Sequence, residues 1–384
     1  MVRSFDGLYR GLHCPRMSIC ANEVACLTVR LGAAQENYRT CRRLAGSAGV
    51  AGVLKADAYG LGMAPISRAL LAAHCDTFFV ARLAEGVSLR PLVCDARIFV
   101  LDGVQRETAP ALISSQLTPV LNSLAQIEVW SLAARERHTT LDAALQVDTG
   151  MNRLGLAADE LAILSATAST QLQAINVTLI MSHLACADDP LGPMNAMQLQ
   201  RFRDALACLP PAPASLSSSG GILLGKQYAF DIVRPGLAVY GGNPQPGNPN
   251  PFKPVAILTA RVLQLRRVDK GESVGYAATF RAERPSTLAT AALGYADGLM
   301  RSIGNRGFAA IDGVRVPIVG RVSMDLVTLD VTDAPASALA VGQEVEFLGD
   351  TISLEDFAFA ARSANYEVLT SLGARVPRRY IEAS

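Results

Sequence analysis

The sequence predicts an α/β protein, with an N-terminal (β/α)8 TIM-like barrel followed by a C-terminal β-rich domain. Two observations lead there. From about Val50 to Gly241, short apolar runs alternate with Ala/Leu-rich helical stretches, the pattern of βα units around a parallel sheet. After Tyr240 comes Gly-Gly-Asn-Pro-Gln-Pro-Gly-Asn-Pro-Asn-Pro, which can hold neither helix nor sheet. Beyond it, strand-like runs follow one another with little helix between them. The expected division is an extension over residues 1–22, a barrel over 23–250 and a β-rich domain over 251–384.

Strands are expected at Val50–Lys55, Thr77–Ala81, Arg97–Leu101, Thr118–Leu121, Ala143–Asp148, Val177–His183, Ala214–Ser218 and Ile232–Pro235. Helical stretches such as Met63–His74, Ser123–Arg137, Ala158–Ser169 and Pro193–Cys208 separate them. About eight such units in roughly 200 residues fit a closed barrel, but a doubly wound sheet has the same local pattern. In the second part Val255–Val268, Leu288–Leu293, Phe308–Ile311, Val314–Val319, Leu326–Val331 and Val345–Phe347 read as strands, with Asp312-Gly313 as a turn. Val24–Leu31, ahead of the first barrel helix, is a candidate to pair with this second domain.

Composition narrows the function. Half of the 384 residues are hydrophobic and 18% are charged, as in a packed globular protein. Lys+Arg number 35 against 34 Asp+Glu, so bulk charge draws the chain neither to nucleic acid nor to a membrane surface. No apolar run approaches the roughly 18 residues that span a bilayer. Met1–Pro15 lacks the apolar stretch of a secretory signal, and Met17 is an alternative start. The 8 cysteines show no Cys-x-x-Cys spacing and read as thiols of a reducing compartment. A cytoplasmic protein is expected.

Barrel enzymes place their sites at the C-terminal ends of strands, and reactive residues gather at those positions here. Lys55 ends the first expected strand, with Tyr59 in the loop after it. Asp148-Thr149-Gly150-Met151-Asn152-Arg153 follows the fifth, His183 ends the sixth, Ser217-Ser218-Ser219-Gly220-Gly221 follows the seventh and Arg234-Pro235-Gly236 the eighth. Each residue alone has a plain structural explanation, such as a solvated lysine or a satisfied core histidine. Their coincidence on one face makes that explanation weak. The Ser/Gly loop and Gly236 offer backbone N–H groups suited to a phosphate. A lysine at the same mouth can form a Schiff base with a carbonyl compound. Together they suggest pyridoxal 5′-phosphate.

The run Val53-Leu54-Lys55-Ala56-Asp57-Ala58-Tyr59-Gly60-Leu61-Gly62 resembles the cofactor-attachment signature of the alanine racemase family. The resemblance continues through Asp148–Gly155, Ser182–Ala185, Val233–Gly236, Gly294-Tyr295-Ala296-Asp297-Gly298, Gly320–Asp325 and Arg375-Val376-Pro377-Arg378. It covers the chain from about residue 22 onward. It implies that Lys55 holds the cofactor and serves as one catalytic base, with Tyr295 from the partner subunit of a homodimer as the other. Removing an α-proton from one face and returning it to the opposite face needs two such groups. By the same resemblance Arg153 contacts the cofactor phenolic oxygen, Arg234 the pyridine nitrogen, and His183 links Tyr295 to Arg234. Tyr59, Ser219, Gly236 and Leu237 hold the phosphate, with Ser218 beside them. Met324 offers its N–H to the substrate carboxylate next to Asp325, and Arg153 also faces the substrate. The implied reaction is interconversion of L- and D-alanine, for peptidoglycan or for alanine catabolism, with no metal.

Three positions depart from the family pattern. Gln146 stands where many members carry a carbamylated lysine, Ser218 where an Asn is usual, and Ala374 where a polar residue precedes Arg375. Three rivals share parts of the resemblance. A decarboxylase of basic amino acids would place an acid, not Arg234, at the pyridine nitrogen. A broader racemase would also take serine. A non-enzymatic barrel that binds pyridoxal phosphate would lack the second domain.

Overall fold

The structure, a computed structural model, describes residues 23–382. The expected extension over 1–22, with Met17, Cys14 and Cys20, lies outside the described residues. Seven parallel strands pair in chain order: Gly52–Val53, Thr77–Val80, Arg97–Val100, Thr118–Leu121, Leu141–Gln146, Ile175–Met181 and Ala214–Ser215. Ile232–Val233 comes next and pairs in parallel with Gly49–Val50, the start of the first strand. On its other side Asp231 N donates to Ala214 O (3.0 Å) and Arg234 N to Ser217 O (2.9 Å). Backbone bonds thus run all the way round. The barrel is closed, and the open doubly wound alternative is excluded.

The strands are short and read as continuous apolar runs because both faces are covered. Phe78, Phe79, Val80, Ile98, Phe99 and Val100 are all at most 1% exposed, and the rings of Phe79 and Phe99 stack at 4.8 Å. Outside, helices pack through apolar stripes at helical spacing. Leu124–Glu136 buries Ile127, Trp130, Ala133 and Ala134, and Ser123 caps it by accepting from Gln126 N. Most strands stop a residue or two before the sequence suggested. In those strands the last residues of the expected run belong to the loops at the mouth, where the site lies.

Ala25–Arg30 does not enter the barrel. It pairs antiparallel with Ala256–Val268 and parallel with Arg378–Ile381, so the expected pairing of Val24–Leu31 with the second domain is observed. Ala256–Val268 also pairs with Ser286–Ala291 and Glu344–Leu348, and Phe308–Ile311, Val314–Pro317 and Val327–Asp330 complete the sheet system. Two helices here were not anticipated, Leu354–Ala361 and Asn365–Ser371. Ser353 and Asp356 form a capping box at the first of them, a start signal that was legible. The Pro/Gly stretch after Tyr240 lacks regular structure, as expected, but it is not a free linker. Asn243 and Gln245 are buried; Asn243 N donates to Glu355 (2.7 Å) and Gln245 Nε2 to Ala187 O (3.1 Å).

Candidate active site

A cavity of about 530 Å³ opens at the mouth of the barrel, within the range of cofactor sites. Lys55, Tyr59, Arg153, His183, Ser218, Ser219, Arg234, Gly236 and Leu237 all line it.

Lys55 stands two residues past the end of its strand and opens an unusual turn. Ala56, Asp57, Ala58 and Tyr59 all have φ between 53 and 58°, a left-handed conformation that costs L-residues roughly 1–2 kcal/mol each. Specific bonds offset that strain. The Glu85 carboxylate accepts from Ala56 N (2.7 Å), and Asp57 accepts from Met63 N (2.7 Å). From the second domain, Arg378 donates to Gly60 O through both Nε and Nη2. The turn aims Lys55 and Tyr59 into the same cavity. Burial and the neighbouring Arg153 charge hold the Lys55 amine below its ordinary pKa, which raises the share of neutral, nucleophilic amine.

Arg153 rides on a loop that returns to its own strand. Asp148 Oδ1 accepts from the N–H groups of Gly150, Met151 and Asn152, and Leu156 N donates to Gln146 O. The return needs Gly155, whose φ is +112° and where a Cβ would sit 2.7 Å from Asp148 N. Gln146 is 7% exposed and also lines the cavity, its Nε2 donating to Leu154 O at 3.0 Å.

Arg234 is the buried charge of the site. Its Nη2 donates to Ser182 O (2.6 Å) and faces His183 Nδ1 (3.4 Å), and its Nη1 donates to Ser215 Oγ. Burial lowers it to about 9, which leaves it protonated at neutral pH. Burial, with the charges of Arg234, Arg153 and Lys55, drives His183 down to about 3. The imidazole is therefore neutral. Arg234 can only donate, so Nδ1 is the acceptor and Nε2 keeps the proton.

Beside Arg234 lies a cradle of small polar groups. Ser219 Oγ accepts from Gly236 N and Ala238 N, both at 3.1 Å, which leaves its own O–H free to turn to a ligand. A side chain at Gly236 would collide with the Tyr59 hydroxyl. Burial pushes the Tyr59 phenol up, so it stays a donor.

Tyr295, Met324 and Asp325 are not among the residues lining this cavity. They lie together on the second domain, where Tyr295 N donates to Ser323 O and Ala296 N to Met324 O, both at 3.0 Å. Tyr295 is 43% exposed and Met324 54%. Tyr366, Glu367 and Thr370 line the cavity and were not foreseen. They come from the unpredicted helix Asn365–Ser371, where the Tyr366 ring lies 6.0 Å from that of Tyr59.

The family described as the alanine racemase N-terminal domain matches residues 29–244, and that described as the alanine racemase C-terminal domain matches residues 255–380. This chain belongs to the alanine racemase family. It is 49% identical to "Alanine racemase, catabolic" of Agrobacterium fabrum over 93% of this chain and 92% of that one. To the same organism's "Alanine racemase, biosynthetic" it is 42% identical, over 93% and 94%. The fold is similar to a crystal structure of alanine racemase from Bartonella henselae with covalently bound pyridoxal phosphate. The TM-score is 0.90 at 39% identity, covering 94% of this chain and 100% of that one.

Proposed function

We propose that the chain interconverts L- and D-alanine with pyridoxal 5′-phosphate bound on Lys55. The observation that carries this reading is the pairing, in one cavity, of a Lys55 amine held below its ordinary pKa with the cradle of small polar groups at Ser219, Gly236 and Tyr59. The donor set fits the group. There is an amine for its carbonyl, neutral N–H and O–H donors for its phosphate, and two guanidiniums, Arg153 and Arg234, in the same lining.

When bound, the cofactor supplies an electron sink for the pair left behind as the α-proton departs. The chain supplies the rest. Lys55 Nζ takes or returns the proton on one face of the substrate, and the phenolic oxygen of the partner subunit's Tyr295 does so on the other. His183, neutral and with Nε2–H free, connects that phenol to Arg234 and tunes it as a base. Arg234 would meet the ring nitrogen with a donor that keeps its protons, which would weaken the sink and suppress transamination. Arg153 holds the phenolic oxygen and faces the substrate, and Met324 N–H receives the substrate carboxylate. The Ser218–Ser219 loop, Tyr59, Gly236 and Leu237 anchor the phosphate. Arg234 in place of an acid argues against the decarboxylase, and the second domain argues against the buffering barrel. Among the described residues no helix is long and apolar enough to cross a membrane, in keeping with a cytoplasmic enzyme.

The test is a chiral assay of the purified, cofactor-loaded protein with L-alanine and a panel of other amino acids. Alanine is expected to racemise fastest and serine slowly or not at all. The protein is expected to be yellow, and borohydride should fix the cofactor on the peptide that contains Lys55. Attachment to another lysine would end the assignment.

Gln146 gives a second expectation. An amide cannot form a carbamate, so activity should be the same in buffers stripped of carbon dioxide and in bicarbonate, with no carboxylated side chain in the mass spectrum. Loss of activity on stripping would show that another group does this work. For physiology, the higher identity to the catabolic than to the biosynthetic enzyme of one organism supports a role in alanine breakdown. Deleting the gene should then impair growth on alanine as carbon source without creating a need for D-alanine; a D-alanine requirement would point to wall synthesis.

A further inference from the structure

The motif Arg375-Val376-Pro377-Arg378 lines no part of the cavity, yet Arg375 grips both loops that carry the exposed Tyr295 and Met324. Its Nε pairs with Asp297 Oδ1 at 2.8 Å, and its Nη2 donates to Asp325 Oδ1 at 2.7 Å. Asp297 follows Tyr295 by two residues, and Asp325 follows Met324 directly. The Asp297 side chain is only 7% exposed, and its other oxygen accepts from Gly294 N at 2.8 Å. Gly373 N donates to Asp297 O at 3.0 Å, tying the Arg375 segment to the Tyr295 loop a second time.

We infer that Arg375 is a positioning residue, which sets the spacing between the Tyr295 phenol and the Met324 N–H where they enter a second copy's cavity. This rests on the reading that both groups act in the partner's site. A planar guanidinium can hold two carboxylates on two of its edges, whereas an ammonium is a single point charge. Asp325 then belongs to the clamp, its carboxylate engaged by Arg375, and serves the substrate only through Met324. The Arg375 and Asp325 side chains are each 54% exposed, so the pair between them adds little to folding stability, and the Asp297 carboxylate, 7% exposed, keeps its bond from Gly294 N when Arg375 is replaced. The value of the ion pairs is geometric: a misplacement of about 1 Å at a reacting group costs on the order of 100-fold in rate.

Arg375→Leu is the test, with Arg375→Lys beside it. The cofactor-loaded Leu variant should keep the visible absorbance and cofactor affinity of the wild type and melt within a few degrees of it. Its kcat should fall about 100-fold, with partial recovery in the Lys variant. A normal kcat would overturn the clamp.

Subunit mixing then shows in which site Arg375 acts. Reassorted with Lys55→Ala, the Leu variant should regain about a quarter of wild-type activity, because one site of each mixed dimer draws Lys55 from one chain and an intact clamp from the other. Reassorted with Tyr295→Phe it should regain nothing, since both lesions then lie on the same side of the shared site. The reverse pattern would overturn the inference and place Arg375 in its own chain's barrel, beside the Arg378 contact to Gly60. Recovery with neither partner, while Lys55→Ala and Tyr295→Phe complement each other, would mark a general folding defect and overturn it too. If those two fail to complement in verified mixed dimers, the shared-site reading falls instead. The Leu homodimer then decides the clamp by itself: low kcat at unchanged absorbance supports it, and normal kcat ends it.

Discussion

Arg234→Glu is expected to lower racemisation of alanine by about 100-fold or more and to let bound cofactor drift into its pyridoxamine form. The wild-type guanidinium is 4% exposed and held on three sides by Ser182 O, Ser215 Oγ and His183. At about 9 it stays charged at neutral pH; on the proposed placement, a guanidinium that keeps its protons would leave the ring nitrogen of the cofactor unprotonated. A carboxyl group in its place could share a proton with that nitrogen and strengthen the sink, and a stronger sink favours protonation away from the α-carbon. The same exchange turns an acceptor toward the Ser182 carbonyl and removes the donor to His183, which would also weaken the proposed link to the partner subunit's Tyr295. Racemisation kinetics and the time course of the amine-form absorbance read the two effects separately. Arg234→Lys, which keeps the charge but not the fork, should lose rate without gaining transamination. A Glu variant that racemises normally and stays free of transamination would remove Arg234 from the account of reaction specificity.

What the sequence shows of this protein divides along a physical line. Thr118–Leu121 and Pro193–Cys208 were read to the residue because apolar pattern and boundary signal coincide there. Residues Lys55, Arg153, His183, Ser219 and Arg234 could be found because barrel strands deliver their ends to one face, so order along the chain maps onto position in space. The left-handed turn from Ala56 to Tyr59 could not. Nothing in Ala-Asp-Ala-Tyr favours that conformation, and the bonds that hold it come from Glu85 and from Arg378, which is 318 residues from Gly60. Tyr366 and Thr370 were missed for a related reason. Their helix looked like the tail of a β-rich domain, and only the packing of that domain against the barrel brings them to the cavity.

The remaining expectation concerns Tyr295, half-exposed on the second domain and absent from the cavity of its own chain. If it acts in the partner's site, two variants that are each inactive, Lys55→Ala and Tyr295→Phe, should restore one another when their subunits reassort. In a mixed dimer one site inherits both lesions. The other takes wild-type Lys55 from one chain and wild-type Tyr295 from its partner. Random reassortment makes about half of the dimers mixed. With one good site in two, roughly a quarter of wild-type activity should return. Were Lys55 and Tyr295 of one chain to serve the same site, every site in the mixture would carry one lesion and no activity would appear. A tag on one variant, followed by capture and assay of the tagged dimers, confirms that exchange has taken place. Captured mixed dimers without activity would rule out the shared site, and with it the need for a second copy to complete the cavity.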